Sequence, residues 1–313
     1  MNGTLRFIRS HAEAGIRQWK LSRMWRAFIA QYPLAPDEIG LLVREGIGDH
    51  FIVAALAEEL AARHHCRIRL CGNPRYAFLQ KLFPSVSSYL CVSDTAKLDP
   101  VANRRVQPGH YVQAFFPADP SLVRAQGHNG FHMVDGYRCH LDLPGNARPS
   151  LPLPPNEIEL ARATHLLDSH HLPAGRTVLL CIDARTIPSA SIPAGFWASL
   201  ATGLVSRGLQ PVVSRGPTTP ELPGVPGLDV SLEDFRAVAT VAGGVCALRS
   251  GLADLAADLP ALRAVIYPRM ACGGGTLGEV FTLQSLGYPN HVGEFTIDGD
   301  YETSLPSLLN MFH

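Results

Sequence analysis

The sequence predicts an α/β protein built from two doubly wound domains that face each other across a cleft. Short apolar runs alternate with helix-like segments over residues 39–92, and the same alternation restarts at residue 177. Near-continuous apolar strands joined by helical crossovers are typical of parallel sheets covered on both faces. Residues 143–155, which lie between the two stretches, are rich in proline. Because the chain of 313 residues suits two domains, we predict one at 1–150 and one at 151–313.

The composition excludes several classes of protein. Apolar residues make up 46% of the chain and charged residues 17%, which permits a sizeable core and argues against global disorder. Lys and Arg together number 27, as do Asp and Glu, so no basic field indicates a nucleic-acid partner. The seven cysteines are scattered, and several lie in apolar runs, which is typical of reduced thiols in a cytoplasmic protein. No His and Cys spacing predicts a metal site, and no apolar run approaches the ~18 residues of a membrane span.

A basic amphipathic segment opens the chain at residues 1–30. Six basic residues stand there against one acid, Glu13, and apolar and aromatic side chains lie between them. The basic residues are Arg6, Arg9, Arg17, Lys20, Arg23 and Arg26. Two interpretations are open: the segment lies on an anionic membrane surface, or it is a helix packed on the protein with its arginines solvated. Charged residues interrupt any apolar core of a signal peptide, so we do not expect one.

The elements of the first domain follow from the alternation of apolar and helical patterns. Strands are predicted at residues 39–43, 67–71 and 89–92, and helices at roughly 49–63 and 74–83. The stretch that follows, to residue 150, has many Gly, His, Pro and aromatic residues and no clean period, so no element is predicted there.

The second domain repeats the rhythm. Asn156 is expected to cap its first helix, and Ser231 to open a later helix with Asp234 at the capping-box position. Strands are predicted at 177–182, 210–214, 244–248 and 264–267, and the other helices at 157–168, 195–207 and 251–258. In a pair of doubly wound domains, ligands bind at the carboxyl ends of the strands.

The first candidate site lies where the first strand meets its helix. Gly46 and Gly48 permit a tight turn and the close approach of a ligand, and Asp49 stands at the helix N-terminus. Two roles are open for Asp49: a helix N-cap, which the local pattern favours, or a general base facing a bound hydroxyl.

The second candidate site is the turn after the strand at 244–248. Arg249, Ser250 and Gly251 join this strand to a helix, a geometry that presents backbone N–H groups to an anion. The guanidinium of Arg249 suits a phosphate, which is the role that the pattern favours; the alternative is a plain turn in which Arg249 pairs with Asp254 or a neighbouring acid.

Further candidate residues lie in three other loops. Arg185, Ser189 and Ser191 can contact phosphate or sugar, and so can Gly274, Gly275 and Thr276 in a glycine-rich loop after a strand. Residues that can line an acceptor pocket are His50, His128 and His132. Each group also has a non-functional interpretation. The first two groups can be solvated or flexible loops, and the histidines can have structural roles only. Asp298 and Asp300 form an Asp-x-Asp pair, which we interpret as a polar turn rather than a cation site.

Four stretches of the chain resemble the heptosyltransferase-like bacterial glycosyltransferases of family 9, which have the GT-B fold. They are "GIGDHFIVAALAEELAARH", "CGNPRYAFLQKLFPSVSSYLCV", "TIPSASIPAGFWASLATGLVSRGLQPVVS" and "SLEDFRAVATVAGGVCALRSGLADLAADLPALRAVIYP". Asp49 matches the family aspartate implicated as catalytic base. Ser250, Gly251 and Leu252 match the phosphate-contacting loop.

The resemblance also has departures. Arg249 stands where the family loop has an acid, Asp254 where it has a histidine, and a lysine expected near 189–194 is missing. The sequence therefore predicts that Arg249 supplies the missing charge and that the donor differs from ADP-heptose.

The resemblance implies an inverting, metal-independent glycosyltransferase without a cofactor. Its donor would be a nucleoside-diphosphate sugar, and its acceptor a glycan or lipid-linked glycan of a cell-surface polysaccharide or lipopolysaccharide. The expected location is cytoplasmic, peripheral on the inner membrane if the segment 1–30 binds lipid. Two other functions stay open: a nucleotide-sugar epimerase, and a non-catalytic sugar-nucleotide-binding protein.

Overall fold

The structure is a computed structural model with two parallel sheets flanked by helices. It describes residues 19–92, 105–114, 132–185, 187–188, 191–216, 219–272, 275–290, 292–298 and 301–312.

The first sheet has four parallel strands in the order β3-β2-β1-β4. These are β1 Glu38–Val43, β2 Arg67–Gly72, β3 Val86–Cys91 and β4 Tyr111–Ala114. Strand β1 lies in the middle of the sheet and is buried throughout, as its run of apolar residues predicts. The associated helices are α1 at 19–31, α2 Ile47–Ala55, α3 Ala57–His64, α4 Leu79–Leu82 and α5 Met133–His140, with a 3₁₀ turn at Pro74–Tyr76.

The second sheet has six parallel strands in the order β12-β9-β8-β5-β6-β7. They are β5 Thr177–Cys181, β6 Gln210–Arg215, β7 Gly227–Asp229, β8 Gly243–Leu248, β9 Leu262–Pro268 and β12 Gly293–Ile297. The helices are α6 Glu157–Ser169, α7 Ala194–Ser206, α8 Phe235–Ala242, α9 Gly251–Leu255, α10 Leu277–Val280 and α11 Leu305–Leu309, with a 3₁₀ turn at Leu283–Leu286. A small antiparallel pair joins β10 Ala271–Cys272 to β11 Gly275–Thr276.

Most predicted elements are confirmed, and three differ in a way that matters for the site. The helix predicted from residue 49 begins at Ile47, and it breaks at Leu56 into α2 and α3. The helix predicted at 74–83 is a 3₁₀ turn followed by the single turn of α4. The predicted helix near Ser231 begins at Phe235, although the Ser231 hydroxyl accepts the N–H of Asp234 as the predicted cap would.

The structure also has elements that the sequence did not predict. Strand β4 and helix α5 lie in the stretch without a clean period, and β7 and β12 form the two edges of the second sheet. Strand β7 has three residues, too few for a recognisable alternation.

The proline-rich segment packs on the first half of the chain. Its Ser150 N–H donates to Ala55 O at 2.8 Å, and its Leu153 N–H donates to Leu82 O at 2.8 Å. The helix that follows begins as predicted, with Asn156 as N-cap in a full capping box with Glu159. The domain boundary at this segment remains a prediction.

Helix α1 packs on the outer face of the first sheet. The rings of Phe28 and Tyr111 lie 5.0 Å apart, and those of Trp25 and Tyr111 lie 5.8 Å apart. Trp19 on the same helix is 56% exposed. For residues 19–31 the structure therefore shows the packed interpretation, while residues 1–18 lie outside the described residues. Within the described ranges, no helix has the length and apolarity needed to cross a bilayer.

Candidate active site

A cleft of two adjoining cavities lies at the carboxyl ends of strands from both sheets. The smaller, of about 510 Å³, is lined by the turns after β1, β5 and β8, and the larger has about 700 Å³. Arg75, Asp183 and Leu252 line both cavities. The smaller cavity brings together a large part of the predicted site: Gly46, Gly48, Asp49, Arg185, Arg249, Ser250, Gly251 and Leu252.

Helices α2 and α9 meet at two glycines. A Cβ on Gly251 would lie 2.8 Å from the backbone nitrogen of Gly48, and a Cβ on Gly48 would lie 3.3 Å from the Cα of Gly251. Both glycines therefore allow the two helices to approach, a reason that the sequence analysis did not foresee. Gly46 has φ −79°, and the nearest atoms to a Cβ there are at 3.7 and 3.8 Å, so its turn does not require glycine.

Asp49 lies in the first turn of helix α2, is half-buried and lines the smaller cavity. It occupies the third position of the helix, and the N-cap is Gly46, so the predicted N-cap role is wrong in position. The Gly46 N–H donates to Asp49 Oδ2 at 2.9 Å, and the Tyr137 hydroxyl donates to Oδ1 at 2.6 Å. These bonds fix the carboxylate while it still lines the cavity.

The pKa of Asp49 lies above its ordinary value. Burial is the main cause and raises it, while the hydrogen bonds from Tyr137 and Gly46 and the charge of Arg249 lower it in part. A carboxylate with a raised pKa accepts a proton more readily, which is what a general base requires.

Tyr137 contacts the candidate base Asp49, and the sequence did not predict it as a site residue. It lies on helix α5 and is fully buried. Burial and the neighbouring Asp49 raise the pKa of Tyr137 well above its ordinary value, so its hydroxyl stays a proton donor to Asp49. No sequence signal pointed to it, because α5 lies in the stretch that shows no period.

We expect Tyr137→Phe to raise the pKa of Asp49. The substitution removes a hydrogen bond that lowers this pKa, so the acidic limb of the kcat/KM profile should move to higher pH. The measurement is the pH dependence of kcat/KM. Tyr111→Phe is the matched control, since the Tyr111 hydroxyl donates to Tyr32 O at 2.7 Å, away from the cleft. An unchanged profile in Tyr137→Phe would mean that Asp49 is not the titrating base.

Arg249 forms a buried ion pair with Asp254. Its Nη2 lies 2.8 Å from Asp254 Oδ1 and its Nη1 lies 3.0 Å from Oδ2. The guanidinium also donates to Phe281 O at 2.7 Å and to Ser250 O at 2.9 Å. The alternative that paired Arg249 with Asp254 is therefore the one the structure shows, and its charge is balanced inside the protein. It does not stand free to replace the missing lysine.

Ser250 lines the smaller cavity, and its hydroxyl forms no hydrogen bond with the described residues. It is the N-cap residue of α9, yet its side chain makes no capping bond. Its Oγ is buried, and among the described residues it has no hydrogen-bond partner. A buried hydroxyl without a partner is costly, so this atom is suited to bind a ligand.

Of the other residues predicted to contact the donor, some line the smaller cavity and others do not. Arg185 is exposed and lines the smaller cavity, whereas Ser191 is not among its lining residues. Thr276, next to Gly275, caps helix α10 in a capping box with Glu279 and lines a separate cavity of about 220 Å³. Ser189 and Gly274 lie outside the described residues.

The predicted acceptor histidines have structural roles where they are described. His50 is completely buried, its Nδ1 lies 2.9 Å from Gly46 O, and burial lowers its pKa to about 4. His132 is the N-cap of α5, and its Nε2 lies 2.8 Å from Asp135 Oδ2. Neither histidine lines the smaller cavity, and their role as acceptor contacts remains a prediction. His128 lies outside the described residues.

Two solved structures of glycosyltransferases have a fold similar to that of this chain. A glycosyl transferase of family 9 from Veillonella parvula matches with a TM-score of 0.58 and 12% identity, over 90% of this chain and 93% of that one. The E. coli ADP-heptose LPS heptosyltransferase II matches with a TM-score of 0.61 and 16% identity, over 88% and 98%. The chain has the fold of these transferases. The likeness extends over both sheets and confirms the fold that the sequence resemblance implied.

A third solved structure has a similar fold, whereas comparisons of the sequence give no match. The iron-containing dodecameric glycosyltransferase TibC of enterotoxigenic E. coli matches with a TM-score of 0.52 and 15% identity, over 85% of this chain and 65% of that one. No family model and no curated protein matches the sequence. Within the part of this chain that the structure describes, no three His, Cys, Asp or Glu side chains are grouped to hold a metal ion.

Proposed function

We propose that the protein is an inverting glycosyltransferase that moves a sugar from a nucleoside-diphosphate sugar to a hydroxyl of a glycan or glycolipid. One observation carries the proposal. Asp49, whose carboxylate is fixed, and Ser250, whose hydroxyl has no partner among the described residues, line the same cavity at the ends of strands from different sheets. The first group suits an acceptor proton and the second a phosphate.

The donor would occupy both cavities. The nucleoside fits the larger one, lined by the end of β6 and by residues 230–232, and the diphosphate lies at Ser250 and Gly251. The sugar then extends into the smaller cavity towards Asp49. Volumes of about 510 and 700 Å³ lie within the ~300–1,000 Å³ typical of ligand pockets.

The reaction would be a single displacement. Asp49 takes the proton of the acceptor hydroxyl, and the acceptor oxygen attacks the anomeric carbon from the face opposite the diphosphate. The bond from that carbon to the diphosphate oxygen breaks, so the configuration inverts. Ser250 and the backbone N–H of Gly251 stabilise the charge on the leaving diphosphate, and Tyr137 holds Asp49 in place.

The proposal extends to the acceptor and the location. The heptosyltransferase II of the comparison acts in lipopolysaccharide assembly by its name, so a cell-surface polysaccharide or lipopolysaccharide precursor is the proposed acceptor class. Such precursors are lipid-linked, and the location proposed for the enzyme is therefore the cytoplasm, peripheral on the inner membrane. We propose that neither a metal nor another cofactor takes part.

The test begins with thermal unfolding in the presence of the diphosphates of adenosine, guanosine, uridine, cytidine and thymidine. A ligand that binds only the folded protein raises Tm, so one diphosphate should do so selectively. The matching nucleotide sugars are then assayed for transfer and hydrolysis, with and without EDTA, and we expect activity in both cases. Interconversion of sugars without transfer would indicate an epimerase. A protein that binds no diphosphate and transfers no sugar would contradict the proposal and favour a non-catalytic role.

A further inference from the structure

Arg249 is not free to face the leaving diphosphate, although it lines the smaller cavity. The ion pair with Asp254 satisfies the guanidinium of Arg249, and Asp49 and Asp183 add negative charge to the smaller cavity. A diphosphate placed beside these carboxylates would be repelled unless other cations faced it.

Three arginines of the cleft have no acidic partner among the described residues, and two of them line the smaller cavity. Arg185 follows strand β5 of the second sheet, and Arg75 lies in the 3₁₀ turn after strand β2 of the first. Both are exposed, and no described carboxylate forms an ion pair with either. The larger cavity has two further cations: Arg215 at the end of β6, and Lys81, which is held by Glu233 at 2.6 Å.

Arg75 stands at the junction of the two cavities. It lines both of them, as do Asp183 and Leu252, and the diphosphate of a donor that spans the cavities passes this point. Its backbone is fixed, because the Arg75 N–H donates to Asn73 Oδ1 at 3.0 Å at the start of the turn. The long side chain is thus presented to the cleft from a defined position.

We infer that Arg75 binds the diphosphate of the donor and takes the place of the lysine that the family resemblance leads one to expect. The inference rests on the proposed function and adds a residue from the first sheet to the donor site. Arg75 and Arg185 then hold the diphosphate from opposite sides of the cleft, since they belong to different sheets. Positively charged side chains from both halves of the chain would therefore bind the donor.

The test compares a nucleoside diphosphate with the nucleoside of the same base, both titrated calorimetrically. The base is the one that wild type selects from the five diphosphates. Arg75→Ala should weaken diphosphate binding about 10- to 100-fold, the value of a hydrogen-bonded charge, and leave nucleoside binding unchanged. Arg185→Ala should behave in the same way. Lys81→Ala is the matched control, and it should leave the ratio of the two affinities as in wild type.

The outcomes separate this inference from the proposed function. If wild type binds a diphosphate and transfers sugar, but Arg75→Ala keeps the affinity ratio of wild type, the inference is wrong and the function stands. The same holds if Arg75→Ala raises only the KM for the acceptor. If wild type binds no diphosphate, the proposed function fails, and the inference fails with it.

Discussion

Asp49→Asn is expected to lower the rate of sugar transfer by about 10²- to 10⁴-fold, the usual contribution of a general base. The amide cannot take the acceptor proton, although it has nearly the size and shape of the carboxylate. Donor binding should stay within about twofold, because the contacts proposed for the diphosphate lie at Ser250, Gly251, Arg75 and Arg185. Single-turnover transfer and diphosphate titration measure the two effects separately.

The stability of Asp49 variants distinguishes a base from a helix cap. Folding raises the pKa of Asp49 above 3.8, so the folded chain retains a proton that the unfolded chain releases. This carboxyl group therefore costs stability once the pH rises through its folded pKa, and the cost vanishes below the unfolded value. The free energy of unfolding of Asp49→Asn at pH 7 should not fall below that of wild type, and the two should converge in acid.

A loss of stability with full activity would contradict this view of Asp49. A residue that served only to cap α2 would lose its bond to the Gly46 N–H in Asp49→Ala, which typically costs about 1 kcal/mol, without affecting the chemistry; Asp49→Asn keeps an oxygen that can accept this bond. Urea unfolding at pH 7 and in acid, together with the transfer assay, therefore decides between the two roles that the sequence left open.

The sequence predicted the parts of the fold that depend on local pattern. The buried strands β1, β5 and β8 are apolar runs, and Asn156 caps α6 because a capping box can be recognised in four residues. The turns after these strands were therefore placed correctly. The candidate site was found because carboxyl ends of parallel strands meet at one edge of a sheet.

What depends on long-range contact was not predictable. Tyr137 contacts Asp49 across 88 positions of sequence, and nothing in its own neighbourhood signals that bond. The burial of His50 and the junction position of Arg75 likewise follow from how the elements pack. Local pattern also left the partner of Arg249 undecided, since Asp254 and a phosphate satisfy a guanidinium equally well.

The second large effect is expected when the buried pair of Arg249 and Asp254 is broken. Asp254→Ala leaves the Arg249 guanidinium buried without its counter-charge, and such a loss typically costs about 3–5 kcal/mol of folding free energy. Equilibrium unfolding in urea measures it. The control is Asp298→Ala, which breaks the exposed pair with Arg269 at 3.2 Å and should cost less than about 1 kcal/mol.

The double variant Arg249→Met with Asp254→Leu tests whether the ion pair contributes to stability, to diphosphate binding or to both. Replacing both charges by apolar side chains of similar volume removes the desolvation cost together with the attraction, so most of the lost stability should return. If Asp254 balances the charge of Arg249, this charge does not act on the donor. The affinity of the folded double variant for the nucleoside diphosphate should then stay within a few-fold of that of wild type. A stable double variant that has lost diphosphate affinity would instead show that Arg249 still acts on the donor through its field. Arg75 and Arg185 would then share the diphosphate with a third cation.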